Sequence, residues 1–305
     1  IKYNIIDPAN RGSIGLNPFI YDDPNKIAIT ISAALKAMYV NAHPEIEDTY
    51  REEYIIQAVE NLAIMLKEMY PRLNGGNLPN LEDMLKMLTN YSIVEKMCEI
   101  MCQDPELAEK YSNQITYFKR NFYENAPGKA ITEQYLYLAV SQLDNLLRLP
   151  GVKTILCNRH NNIDFDKALA NGEITFVCTR RGDLGRVSHK AFGLFFLLSM
   201  QNAVLRRPGN ENSRIPHFLY IDEFPDFICK DTEAIFTMYR KYKIGTMVSA
   251  QSLTQLDLSS QKENYKVAIL SNCANKIYTG GATIEELNWW SDEFGTHREW
   301  VYSNS

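Results

Sequence analysis

Hydrophobic positions recur along this chain with two different periods, and the change between them divides it. From about residue 29 to 150 the spacing is helical. In "YIIQAVENLAIMLKEMY" the residues Ile55, Ile56, Val59, Leu62, Ala63, Leu66 and Met69 fall on one face of a helix. "NLEDMLKML" opens on Asn80, whose side chain suits the first free N–H groups of a helix, with acids in the first turn. "ITEQYLYLAVSQLDNLLRL" is another amphipathic helix, stopped by Pro150-Gly151, and "PRLNGGNLPN" is a turn-rich link between helices.

From about residue 151 the pattern changes to short runs rich in β-branched and aromatic residues: "GEITFVCTR", "HFLYIDE", "GTMVSAQ" and "NKIYTGG". Helical stretches lie between them, notably 187–206 and 231–243. "IKYNIID" at the start reads as a further strand, followed by a Gly/Pro/Asn-rich loop. Strands alternating with helices predict an α/β fold with a mostly parallel sheet flanked by helices. The expected organisation is an α/β domain made of residues 1–28 and 151–305, with an all-α domain, 29–150, inserted into it.

Composition narrows the function by exclusion. The net charge of −5 is the opposite of the bulk basicity of a protein that wraps nucleic acid, so any such contact is local. The longest strongly apolar run, "AFGLFFLLSM", is too short to span a bilayer, and nothing reads as a signal peptide. Six scattered cysteines without CxxC spacing read as reduced thiols. His189, His217 and His297 lack the partners of a metal or nucleophile site, and Ser188-His189 has no GxSxG context.

"HFLYIDEFPDF" (217–227) carries the sharpest chemical signal. An apolar strand runs into two adjacent acids, Asp222 and Glu223, and ligands of open parallel sheets bind at the carboxyl ends of strands. Asp222 there can hold a hydrated Mg²⁺, and Glu223 can orient or deprotonate a water, the Walker B pattern of nucleotide triphosphatases. The following strand, "GTMVSAQ", ends in Ser249 and Gln251, polar groups placed to touch the same ligand. No GxxxxGK[ST] phosphate loop occurs in the chain.

"HFLYIDEFPDF", "YRKYKIGTMVSAQSLTQL" and "NCANKIYTGG" together resemble the type IV secretion-system coupling proteins, the TraG/TraD-like branch of the FtsK/HerA motor superfamily. "YNIIDPANRGSIGLNPF" and "GEITFVCTRRGDLG" resemble other segments of that family, and block 29–150 stands where its all-α domain is inserted. The resemblance implies a RecA-like motor that uses ATP and Mg²⁺ as a hexamer. It would be the cytoplasmic domain of a bacterial cell-membrane protein. It would pass single-stranded DNA with its relaxase, or another secreted protein, to secretion-channel components. It also implies a phosphate loop and membrane-spanning segments upstream of Ile1.

By position, the resemblance makes Asp222 the Mg²⁺ ligand through water, Glu223 the catalytic base and Gln251 the sensor, with Ser249 beside the nucleotide. A neighbouring subunit must supply an arginine, and Arg240 is the candidate, with Arg180 and Arg181 as alternatives. "RRGDLGR", with Arg180, Arg181 and Arg186, is the best loop for nucleic acid, and "LRRPGNENSR" a second. Trp289, Trp290 and Trp300 read as a helix packed on the sheet and then a subunit contact. Two alternatives stand beside the motor: an assembly ATPase of the same secretion systems, and a non-catalytic docking scaffold.

Overall fold

The computed structural model describes residues 2–42, 49–256 and 265–295; His297 and Trp300 lie outside them. After β1 (Tyr3–Ile6) the chain runs through helices α1 (Pro24–Ala42), α2 (Thr49–Leu73), α3 (Leu81–Thr89), α4 (Tyr91–Gln103), α5 (Pro105–Lys110), α6 (Ser112–Asn121), α7 (Lys129–Leu147), α8 (Pro150–Leu156) and α9 (Phe165–Asn171). Then come β2 (Ile174–Val177), α10 (Arg181–Leu205), β3 (His217–Ile221), α11 (Ala234–Thr237), β4 (Ile244–Val248), α12 (Tyr265–Asn272) and α13 (Ile284–Phe294).

The helices form where the spacing predicts them. Ile55, Val59, Leu62, Ala63, Leu66 and Met69 of α2 are buried as a stripe, joined by Ala58 and Met65. Asn80 accepts from Glu82 N (3.0 Å) and Asp83 N (3.1 Å), while Asp83 Oδ2 accepts from Asn80 N (3.0 Å). This reciprocal cap contributes about 1 kcal/mol to α3. Asp83 also pairs with Arg159 at 2.7 Å, tying α3 to the loop after α8. Pro150 ends α7 by opening α8, where its missing N–H costs nothing. Gly151 then packs so closely on the Pro8 carbonyl that a Cβ would collide with it.

The apolar run 191–200 lies in α10 and is buried on every side. α10 is the central helix: Asn202 donates to Thr30 of α1 (3.2 Å), and α10 also packs against α7 and α9.

Four of the five expected strands form, all with parallel partners. β1 pairs with β2 (Tyr3↔Ile174 to Ile6↔Val177), and β3 with β4 (His217↔Ile244 to Ile221↔Val248). Thus β1 and β2 lie side by side although α1 to α9 separate them in sequence. The strands make two two-stranded ribbons rather than one continuous sheet. Between the free edges of β2 and β3 runs a trough of about 720 Å³, floored by Phe196, Leu197 and Met200 of α10. One face of both ribbons is open: Phe176, Phe218 and Tyr220 are 57%, 64% and 69% exposed.

Two expectations are corrected. "NKIYTGG" (275–281) is not a strand, because among the described residues no strand lies beside it to share a ladder, and Ile277 is 81% exposed. The stretch 231–243 is not one helix. It is a succession of short turns, Lys230–Glu233, Ala234–Thr237 and Tyr239–Tyr242, ended by Lys243 at φ 59°. Burial of Ile235 and Tyr239 pins those turns individually. The six cysteines are free thiols. Among the described residues no helix is long and apolar enough to cross a membrane.

Candidate active site at the carboxyl ends of the strands

Because β3 and β4 are parallel and in register, their carboxyl ends emerge side by side, which brings four of the expected residues together. Ser249 N donates to Ile221 O (3.0 Å) and Phe224 N to Ser249 O (3.0 Å), so pairing continues one step past each strand. The Ser249 hydroxyl donates to Asp222 Oδ1 (2.5 Å) and accepts from Glu223 N (3.1 Å). Gln251 Nε2 donates to Glu223 Oε1 at 2.7 Å. Each acid at the end of β3 is therefore held by one polar side chain from the end of β4.

Glu223 adopts a left-handed backbone (φ 50°, ψ 45°) that a non-glycine residue holds only at a cost of about 1–3 kcal/mol. What enforces it is Phe224, fully buried directly behind, and the bond from Phe224 N to Ser249 O. The chain thereby turns sharply and leaves both carboxylates at the surface.

A second cluster backs this turn, and the sequence assigned no role to its acid, Asp226, or its histidine, His189. Asp226 Oδ2 accepts from Arg181 (3.0 Å) and from His189 Nε2 (3.0 Å), while Oδ1 meets Lys190 (2.8 Å). His189 is 3% exposed, and its Nδ1 faces the Thr179 hydroxyl at 3.2 Å. Asp226 can only accept when ionised, so Nε2 carries the imidazole proton and Nδ1 accepts from Thr179. Burial pulls the His189 pKa down against the pull of Asp226. For Asp226, burial works upward, but Lys190, Arg181 and His189 outweigh it and hold the carboxyl below its usual range. Asp226 thus ties the first turns of α10, and through His189 the Thr179 hydroxyl just past β2, to the turn that carries Asp222 and Glu223. His217, at the other end of β3, has its pKa lowered by burial.

The arginines are dispersed. Arg180, also left-handed at φ 48°, forms a two-pronged pair with Asp7 at the end of β1, with Nε–Oδ1 at 2.7 Å and NH2–Oδ2 at 2.6 Å. That contact holds the Asp7 carboxyl below its usual range. Arg181 is paired with Asp226, and Arg186 is exposed beyond the kink of α10 at Gly185. Arg240 is exposed on the turn before β4, at the amino ends of the strands, so one copy of the chain does not bring it to the acids. Trp290, on α13, stacks with Tyr278 (5.0 Å) and Phe294 (5.2 Å), and Trp289 meets its edge.

Missed by sequence reasoning, besides Asp226 and His189, is Glu286, which binds the loop following Gln251. A Thr-x-x-Glu cap signature at Thr283 marked its local role but not that reach. Among the described residues no three His, Cys, Asp or Glu side chains gather as a metal site.

Parallel strands with an acid pair at one carboxyl end, and an attached helical block, define the class. The chain shares its fold with solved structures of a conjugative coupling protein. The unbound monoclinic form of the bacterial conjugative coupling protein TrwBdeltaN70 matches at 16% identity and a TM-score of 0.53, over 88% of this chain and 56% of that one. The plasmid coupling protein TrwB in complex with ADP and Mg²⁺ matches at 16% identity and 0.55, over 88% and 57%. TrwB with a non-hydrolysable ATP analogue matches at 16% identity and 0.51, again over 88% and 57%. The chain therefore spans little more than half the length of these structures. Residues 216–305 match the family model described as the TraM recognition site of TraD and TraG. Fold and family model together bear out the resemblance to the TraG/TraD-like coupling proteins. No curated protein sequence matches the chain.

Proposed function

We propose that this chain is the part of a conjugative coupling ATPase that carries its hydrolytic acids and sensor, within a RecA-like motor built of residues 1–28 and 151–305 and an inserted all-α domain, 29–150. The observation that carries the reading is the bond from Gln251 Nε2 to Glu223 Oε1 across adjacent parallel strands. A scaffold needs neither a base nor an amide to hold it.

The site fits Mg²⁺ and ATP. Asp222 is exposed, and Ser249 fixes one of its oxygens, leaving Oδ2 without a protein donor among the described residues. Glu223 likewise keeps Oε2 free while Gln251 holds Oε1. Mg²⁺, held by Asp222 through water, would supply charge neutralisation on the phosphates. Glu223 takes the proton of the attacking water at Oε2, and Gln251 orients that carboxylate. TrwB, of the same fold, has been solved with ADP and Mg²⁺. The trough between β2 and β3 is open at the same edge, beside Asp222 and Thr179. In this reading it receives the strand that leads into a phosphate loop.

In this reading the protein works as a hexamer, attached to the membrane by other segments, and moves single-stranded DNA with its relaxase, or another protein substrate, toward the secretion channel. A trans arginine then comes from the amino-end surface of a neighbour, where Arg240 stands. A docking role is compatible and is favoured by one observation, the family model over 216–305 described as a TraM recognition site.

The test is ATP hydrolysis by the full-length protein with and without single-stranded DNA. DNA-stimulated hydrolysis supports the motor. An assembled protein that binds a TraM-like partner but hydrolyses nothing leaves the docking scaffold as the better reading.

A further inference from the structure

Directly after Gln251 the chain turns through Ser252, Leu253 and Thr254, and all three face one carboxylate. Glu286 Oε1 accepts from the Ser252 hydroxyl (2.7 Å), Leu253 N (2.6 Å) and Thr254 N (3.4 Å). Its other oxygen, Oε2, accepts from Thr283 N at 3.3 Å, which closes the cap of α13. Glu286 is only 7% exposed. The Ser252 hydroxyl, against the pull of burial, leads the contacts that hold its carboxyl below the usual range.

The cap of α13 uses one oxygen. The second is spent on the turn that begins at Gln251 and continues as Leu253–Leu256. Within that turn Gln255 Oε1 accepts from the Gln251 backbone N–H at 3.2 Å, so Gln251 is held to the turn and the turn to Glu286. A carboxylate with four protein donors is a charge-assisted anchor, stiffer than a hydroxyl or amide in the same place.

We propose that Glu286 is a positioning residue for Gln251: it anchors the turn behind the glutamine so that the amide reaches Glu223. The proposal rests on the reading of Glu223 and Gln251 as the hydrolytic pair, but its geometry can be tested without hydrolysis.

The measurement is the ¹⁵N–¹H side-chain amide resonance of Gln251 in this chain, assigned by its loss in Gln251→Ala. Glu223→Ala gives its position without the acceptor. Glu286→Gln, of the same size, moves the resonance toward that position, and Ser252→Ala, which removes one donor from the opposite side, moves it in the same direction. Thr283→Ala loosens α13 at its own cap and leaves the resonance in place. In the full-length protein Glu286→Gln lowers kcat about 10-fold with KM for ATP unchanged, since a misplaced group costs rate rather than binding. An unmoved resonance in both Glu286→Gln and Ser252→Ala overturns the proposal and leaves Glu286 as a helix cap. A wild type that hydrolyses nothing overturns the reading of the site instead, and the resonance alone then decides the positioning role.

Discussion

Gln251 donates its side-chain amide to Glu223 Oε1 at 2.7 Å, joining the carboxyl ends of two parallel strands. The pairing leaves the acid one oxygen without a donor among the described residues and gives it one orientation. In Gln251→Ala the carboxylate rotates freely, and hydrolysis by the full-length protein falls about 10²-fold, the scale of a small misplacement at a reacting centre. Nucleotide affinity stays close to wild type. Steady-state kinetics with a fluorescent-nucleotide titration separates the two effects.

Gly193 lies where α10 passes the turn after the acids, and a Cβ there would stand inside the Phe227 ring. Phe227 is itself buried, so the clash is relieved only by pushing the ring toward the trough that both residues line. Gly193→Ala is expected to cost about 1–3 kcal/mol, the usual range for overpacking. Urea denaturation of the variant beside wild type measures it, with Gly182→Ala, at a position with open space, as the control.

His189 gives the fold a pH dependence with a definite sign. Its folded pKa is lowered by burial from 6.5, so below that value the unfolded chain takes up a proton that the folded chain resists. Stability therefore falls as pH drops through and below about 6.5. Asp226, whose folded pKa is depressed from 3.8, adds a further loss as pH falls through its folded value. Thermal melts at pH 7.5 and 5.5 are expected to differ more for wild type than for His189→Gln. Equal differences would remove His189 from this role.

Arg180 caps α10 and Arg186 lies inside it, and the two do different jobs. Arg180 closes a two-pronged pair with Asp7, and Arg186 stands exposed. Arg180→Gln lowers the melting temperature because Asp7, mostly buried, loses its partner. Arg186→Gln leaves stability within about 0.5 kcal/mol. If this end of α10 meets single-stranded DNA, Arg186→Gln also lowers the salt dependence of binding by about one phosphate contact. Melting curves and fluorescence anisotropy at several salt concentrations resolve the two.

The sequence made the local parts of this design legible and hid the long-range ones. A run of apolar residues ending in two acids located the end of β3, and Ser249 and Gln251 located the end of β4, because strand period and polar ends are local features. Asn80 and its acids announced α3 in the same way. By contrast, the pairing of Asp226 with His189 joins residues far apart in the chain, and nothing near either marks the other. Glu286 showed its cap signature but not its second partner at Ser252. The errors share a cause. "NKIYTGG" has strand composition but, among the described residues, no neighbour to complete a ladder, and 231–243 has helical composition but is pinned turn by turn by Ile235 and Tyr239. In both, tertiary surroundings overrode local preference.

The most direct measurement is hydrolysis of ATP by full-length wild type and by Glu223→Gln, with nucleotide binding followed on the same samples. Glu223→Gln keeps the size of the side chain and a partner for Gln251 but cannot take a proton. Glu223 as the base predicts nucleotide binding like wild type with hydrolysis reduced at least 10²-fold. Hydrolysis by Glu223→Gln at the wild-type rate would contradict that role.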